Sequence, residues 1–484
     1  MRIEELPLAE ALLFYLQRGK RPYHTPGHKQ GAGLPRELLE LWGREVFRYD
    51  LTELPGLDDL HAPRGAIGRA QEAAARCFGA EESWFLVNGS TVGIQASIMA
   101  AVGQGELVLV PRQMHRSVLG GLILSGARPV YLPVEAAGCR IPLTTRKELL
   151  EAALAGTAGL RAVVAVHPNY YGICGDLSHL VELCHCRGIP VLVDEAHGPH
   201  FGFDCRLPRS AMASGADVAV QGWHKLLTSL TQTAVLHCQG TEVDRERLRR
   251  CLALLQTTSP SYLFLLSLDV ARWQMENRGR EIWSRVLDLA ERLRRRINSI
   301  PGLYCLGEEI QEHPAVGGWD PSKLVVDVSG LGLTGPQAAS YLSDSGVAVE
   351  MADPQNVLLL LTPGDSAESV EFLEQALHRL AREYPPVKGK KVVGGSWEEM
   401  YQLQPRVVLT PAEAVYQKGR RVKLEEAAGE ISCEFLCPYP PGVTLLAPGE
   451  EITREILETV CRFKQLGFNW QGPSDPLLNT LLVL

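Results

Sequence analysis

Seven short apolar runs separated by helix-length segments constrain this chain more than any other feature. They are Trp84 to Val87, Leu107 to Val110, Pro129 to Leu132, Ala162 to His167, Pro190 to Asp194, Val218 to Gln221 and Ala234 to His237. Their apolar residues are consecutive rather than alternate, so both faces must be covered, as in a largely parallel sheet flanked by helices. The core is expected to be α/β. From Leu263 to Ile300 the apolar spacing becomes helical and is interrupted by Arg278, Arg280, Glu281 and Arg292 to Arg296, which predicts a helical connection leaving the large unit. A smaller α/β unit should follow, with strands Lys323 to Val328, Val347 to Met351 and Val357 to Leu361 and helices Pro336 to Ser345 and Ser366 to Glu383. Pro385-Pro386 and Lys388 to Gly395 break the pattern and read as a linker, with Trp397 to Leu484 as a C-terminal domain. The expected division is an N-terminal segment 1–48, a large domain 49–300, a small domain 301–385, a linker 386–396 and an α+β C-terminal domain 397–484.

Composition fits a chain with several packed cores: 484 residues, 45% hydrophobic and 21% charged. Its 48 Lys plus Arg against 56 Asp plus Glu give a net charge of −8, which offers no general attraction to phosphate backbones or anionic lipid. Neither nucleic acid nor membrane is an expected partner. Glu4, Glu5 and Glu10 interrupt the N-terminus, so it does not read as a secretory signal. The apolar run Tyr262 to Leu268 is soon cut by Asp269 and Arg272, well short of the ~20 residues that span a bilayer. A cytoplasmic location is expected, with the twelve cysteines reduced rather than paired. Cys184-His185-Cys186 lies in an expected helix, Leu177 to Arg187, and no second ligand pair has zinc spacing, so no metal is expected.

Three candidate site motifs each sit just past the carboxyl end of an expected strand, where open α/β sheets place ligands. Asn88-Gly89-Ser90-Thr91 combines a glycine, two hydroxyls and a helix start, which suits an anionic phosphate or an ordinary helix cap. Asp194, in Asp194-Glu195-Ala196-His197, is a strand-terminal acid that can pair with a protonated pyridine nitrogen or cap a helix. Lys225, in His224-Lys225, is an amine that can form a Schiff base if its site depresses its pKa, or is simply a solvated charge. A phosphate loop, then an acid, then a lysine roughly thirty residues later is the order found in fold-type-I enzymes that use pyridoxal 5′-phosphate.

The sequence also resembles one family, the Orn/Lys/Arg decarboxylases, over nearly its whole length. The resemblance rests on His24-Thr25-Pro26-Gly27-His28-Lys29, Thr52 to His61, Asp194 to His197, His224-Lys225 with Thr231-Gln232, Thr258 to Tyr262, and Pro438 to Gly442 leading to Pro448-Gly449-Glu450. It implies that Lys225 holds the cofactor as a Schiff base, that Asp194 pairs with the ring nitrogen and that His115 stacks on the ring. It further implies His197 near the phenolic oxygen, Ser90, Thr91 and His224 at the phosphate, and Glu434 near the route by which a cationic substrate arrives. The family's sites are completed by a partner chain, so a homodimer is expected, with Thr258 and Ser259 reaching the neighbouring phosphate. The implied reaction is decarboxylation of arginine, lysine or ornithine to an amine, in polyamine synthesis. With the family motif beginning at His24, the resemblance leads to the expectation of a short form without the receiver-like domain of longer members.

One departure stands out. Where the family usually has Ser-Thr-His-Lys, this chain has Gly222-Trp223-His224-Lys225. A lost hydroxyl at a charged phosphate costs on the order of 1.5–3 kcal/mol unless water or backbone replaces it. Trp223 either alters substrate fit or packs in the core. The rival expectations are transamination, for which no carboxylate-clamping arginine stands out in the small unit, and a non-catalytic cofactor-binding paralogue, which only Gly222-Trp223 supports.

Overall fold

The computed structural model describes residues 2–136, 141–387, 400, 403–439 and 442–484. From residue 388 onward the expected linker lies outside the described residues. Seven strands form the main sheet: β1 (Glu82–Leu86), β2 (Leu107–Pro111), β3 (Arg128–Leu132), β4 (Leu160–Val166), β5 (Val191–Asp194), β6 (Val218–Gln221) and β7 (Ala234–Cys238). Their spatial order is β1-β7-β6-β5-β4-β2-β3. All neighbours are parallel except β7, which runs antiparallel to both β1 and β6.

The consecutive apolar residues of these strands divide between the two faces. Ala162 and Val164 of β4, Leu192 of β5, and Val218 and Val220 of β6 pack with helices α2 (Gly89–Ala101), α3 (Arg116–Ser125) and α5 (Arg245–Leu255). Val163, Val191, Val193 and Ala219 face the other way, toward α4 (Leu177–His185). Burial on both faces removes most of the apolar surface from water, at roughly 25 cal/mol per Å². It also brings the carboxyl ends of β4, β5 and β6 to one edge.

Helix α6 (Tyr262–Asn298), 37 residues long, links the large unit to the smaller one. Its buried stripe, including Leu265, Met275, Trp283 and Leu293, belongs to one core shared with Leu8 and Leu12 of the N-terminal helix and with Leu324 and Val326 of the smaller sheet. That sheet is antiparallel, ordered β10 (Met351–Ala352), β11 (Asn356–Leu360), β9 (Lys323–Asp327) and β8 (Tyr304–Cys305). The strand expected over Val347 to Met351 is thus corrected: pairing begins only at Met351. Gly346 sits in the left-handed region at φ 83°, and the Val347 N–H bonds back to the Leu342 carbonyl. Such a turn caps the preceding helix and leaves the apolar residues after it without a ladder partner.

A separate core of Leu436, Leu445, Ile452, Ile456, Val460, Phe463 and Leu481 holds the C-terminal region. Cys184 packs in the α4 core, His185 is 2.9 Å from Asp217, and Cys186 is exposed. No helix among the described residues is long and apolar enough to cross a membrane.

Candidate active site

The sheet edge carries a cavity of about 410 Å³. Of the expected residues, Ser90, His115, Asp194, His197, His224 and Lys225 line it together. Asp194 ends β5, and its Oδ1 accepts from the Ala196 N–H at 3.1 Å. Lys225 lies in the single turn Trp223–Leu226 that follows β6, and its Nζ is 2.9 Å from His197 Nε2. Burial pushes the lysine amine below its ordinary range, while the nearby carboxylates of Asp194 and Glu350 pull the other way. His197 is held well below the ordinary imidazole range, first by burial and then by Lys225 and Lys323, so it is neutral at pH 7.

His115 caps helix α3: its Nδ1 accepts from the Ser117 N–H at 3.2 Å, which fixes the ring at the cavity wall. The ring opens onto the cavity, but protein encloses it closely enough that desolvation, with lesser help from Lys225 and Arg116 and against Asp194, pushes it down to about 4. His224 is anchored through Nδ1, 2.7 Å from the Thr233 carbonyl. Gly89, in the left-handed region at φ 80°, opens helix α2 and presents Ser90 to the cavity, whereas Thr91 next to it is exposed and not part of the wall.

Two expected residues lie elsewhere. Ser259 is exposed, its N–H bonded to Thr257 Oγ1 at 3.2 Å, and it is not in its own chain's cavity. Glu434 is buried within the C-terminal region, where it accepts from the Ser474 N–H at 2.7 Å and the Leu482 N–H at 2.9 Å. Within the chain both of its oxygens brace backbone.

The carboxylate that does line the cavity is Glu350, which accepts from the Tyr170 hydroxyl at 2.6 Å. Lys323 is a second missed residue, fully buried, with Nζ 3.1 Å from His197 Nδ1 and donating to the Tyr170 carbonyl at 3.0 Å. Gly172, at φ 89°, makes room for its stem, since a Cβ there would lie 3.0 Å from Lys323 Cδ. Tyr439, Gly442 and Val443 complete the wall from the C-terminal region, with Val443 bridged to His115. No motif announces Glu350 or Lys323, which meet the site only through the fold, whereas Tyr439 and Gly442 belong to the family stretch Pro438 to Gly442.

Trp223 is resolved as core. Its indole is fully buried, stacks on Phe78 at 4.7 Å and donates to Gln221 Oε1 at 2.9 Å. Gly222 is tight rather than vacant: a Cβ would stand 3.0 Å from the Ala196 carbonyl and 3.3 Å from Lys225 Cδ.

An amine, a strand-end carboxylate, an imidazole wall and a helix-start hydroxyl around one cavity fit the aldehyde, ring nitrogen, ring face and phosphate of pyridoxal 5′-phosphate. The family model for the major domain of Orn/Lys/Arg decarboxylases matches residues 6–369, and that for their C-terminal domain matches residues 395–467. The chain belongs to the Orn/Lys/Arg decarboxylase family. This decarboxylase is 38% identical to the arginine decarboxylase of Bacillus subtilis strain 168, covering 100% of this chain and 99% of that relative. It is 37% identical to the arginine decarboxylase of Bacillus anthracis, covering 99% and 97% respectively. The constitutive lysine decarboxylase of Escherichia coli has the same fold, with TM-score 0.84 and 20% identity over 99% of this chain and 82% of that one. The decarboxylase is a pyridoxal-phosphate-dependent enzyme.

Proposed function

We propose that this decarboxylase acts on arginine, with Lys225 as the cofactor-bearing amine. The observation that carries the proposal is Glu350, a carboxylate in the wall of the Lys225 cavity, oriented by Tyr170 and placed to meet a distal cation. The relatives that share 37–38% identity over the whole chain and are named arginine decarboxylases support guanidinium as that cation. When bound, the cofactor supplies an electron sink for the pair freed as carbon dioxide leaves Cα.

The chain's own residues do the rest. Asp194 would pair with the cofactor's ring nitrogen and keep it cationic, His115 would supply a neutral wall for the ring, and Ser90 with the start of α2 would hold the phosphate. Tyr439, Gly442 and Val443 wall the cavity on its C-terminal side. The proton that returns to Cα comes from Lys225, whose Nζ is held 2.9 Å from His197. A homodimer, in which Thr258 and Ser259 of one protomer reach the other's phosphate, and a cytoplasmic place in polyamine synthesis complete the reading.

The test incubates purified holoenzyme separately with arginine, lysine and ornithine, with carbon dioxide and amine products identified by mass. Arginine should be turned over with the highest kcat/KM. Faster turnover of lysine or ornithine would overturn the substrate choice.

A further inference from the structure

Two lysines meet the two nitrogens of one histidine. Lys225 Nζ is 2.9 Å from His197 Nε2, and Lys323 Nζ is 3.1 Å from His197 Nδ1. A neutral imidazole carries one N–H and one bare nitrogen. If Lys225 is an ammonium donating to bare Nε2, the Nδ1 hydrogen must point at Lys323, whose amine then accepts it. If Lys323 is the ammonium, the tautomer reverses and Lys225 is the free amine. We propose that His197 relays a proton from Lys225 to Lys323, freeing the Lys225 amine for Schiff-base chemistry without releasing that proton to water.

The step balances. The Lys225 Nζ–H bond breaks as a bond to Nε2 forms, the Nδ1–H bond breaks as a bond to Lys323 Nζ forms, and one positive charge is retained throughout. Lys323 is built to receive it. The Asp320 carboxylate stands nearby, fully buried; burial would raise its pKa, but His200 at 3.1 Å, Lys323 and the Ser322 hydroxyl outweigh this and hold it ionised. The Tyr170 carbonyl accepts another hydrogen from Lys323 at 3.0 Å. Burial and the proximity of Lys225 push Lys323 down to about 8, with Asp320 and Glu350 opposing, so it exchanges a proton near neutral pH. Asp194, Glu350, His115 and His224 face Lys225, while Asp320, Glu350 and Cys174 face Lys323. Burial raises the Cys174 thiol well above its ordinary value, so it is no competing acid.

This inference rests on Lys225 being the cofactor-bearing amine, and its test involves no turnover, so its failure would leave that assignment standing. Full-length protein stripped of cofactor is reductively methylated with formaldehyde and cyanoborohydride over a pH series and the Lys225 peptide quantified by mass spectrometry, while Lys323, buried from the reagent, is titrated by NMR of ε-13C-labelled lysine. Lys323→Met should raise the labelling midpoint of Lys225 by about one pH unit, because the amine loses its proton acceptor. Lys225→Met should raise the Lys323 midpoint equally, as linkage requires. In a His197→Phe background, adding Lys323→Met should move Lys225 by much less. An unmoved midpoint in a Lys323→Met protein of native circular dichroism would overturn the relay, as would a full shift in the His197→Phe background. Should Lys323→Met fail to fold, the Lys225→Met arm decides by the same criterion.

Discussion

Asp194 and Gly222 show how differently single positions reveal themselves. Asp194 is legible in sequence as an acid that ends an apolar run, either a helix cap or the partner of a cationic ring nitrogen, and the structure puts it in the cavity wall with Lys225. Asp194→Ala is expected to lower kcat by on the order of 10²–10³-fold, the scale for removing one oriented electrostatic group. Thermal unfolding of the cofactor-free variant should change little, and comparable turnover in loaded protein would show that the carboxylate only caps. Gly222 misleads, because a missing family hydroxyl reads as a vacancy. With the Ala196 carbonyl and Lys225 Cδ at 3.0 and 3.3 Å from a Cβ, a serine there needs the carbonyl and the lysine stem to give by a few tenths of an ångström. Gly222→Ser should therefore bind cofactor no more tightly than the native chain, measured by titrating pyridoxal phosphate into both cofactor-free proteins. A tenfold tightening would restore the sequence-based expectation. Lys323 leaves no sequence signal at all: a lysine opening an apolar strand resembles a solvated end, and only the packing of β9 against the Tyr170–Gly172 turn shows it buried.

Secondary elements are more legible than contacts because two-faced burial writes itself into consecutive residues. The seven expected strands match β1 to β7 to within about two residues at each end. What periodicity misses is how motifs in loops serve elements. The stretch Thr52 to His61 includes Asp58, whose carboxylate accepts from the N–H groups of Arg64 and Gly65 at 3.0 and 2.8 Å and of Ile67 and Gly68 at 2.9 and 3.2 Å. It thereby caps the helix Ala66–Phe78, while its own backbone is tied to the Tyr262 hydroxyl at the start of α6. Part-burial would raise this carboxyl, but the backbone donors outweigh it and hold it below its ordinary value. A depressed acid stabilises above its unfolded pKa of about 4 and loses that contribution as pH falls through the folded value. Asp58→Ala should cost about 1–2 kcal/mol at pH 7, by urea unfolding, and the difference from native should shrink below pH 4. An equal difference at pH 3 would mean that packing, not charge, is what the residue supplies.

At the scale of the molecule, the C-terminal region is joined to the sheet by one buried ion pair that sequence motifs pointed to without explaining. Pro448-Gly449-Glu450 belongs to the family pattern, and Arg112 follows β2 just before His115. Their side chains, 2% and 1% exposed, meet through Arg112 Nη1 to Glu450 Oε1 at 2.5 Å and Nη2 to Oε2 at 2.9 Å. Nη2 also donates to the Leu445 carbonyl at 2.6 Å, and the guanidinium lies 4.9 Å from the Tyr131 ring centroid. Gly449, at φ 86°, lets the chain pass where a Cβ would meet the Leu409 carbonyl. The pair therefore fixes the segment that brings Gly442 and Val443 to His115, so it supports the cavity as well as the interface between cores. Removing one member leaves the other charged, buried and unpaired, a loss of about 3–5 kcal/mol, whereas apolar replacement of both is nearly neutral. Glu450→Ala should thus lower the urea midpoint and weaken cofactor binding together, and Arg112→Met with Glu450→Leu should recover most of the stability. Unfolding followed separately by cofactor absorbance and by circular dichroism checks this, since cores that unfold apart give two transitions. If Glu450→Ala leaves both midpoints in place, the C-terminal region is held by its apolar contacts and the ion pair sets only its register.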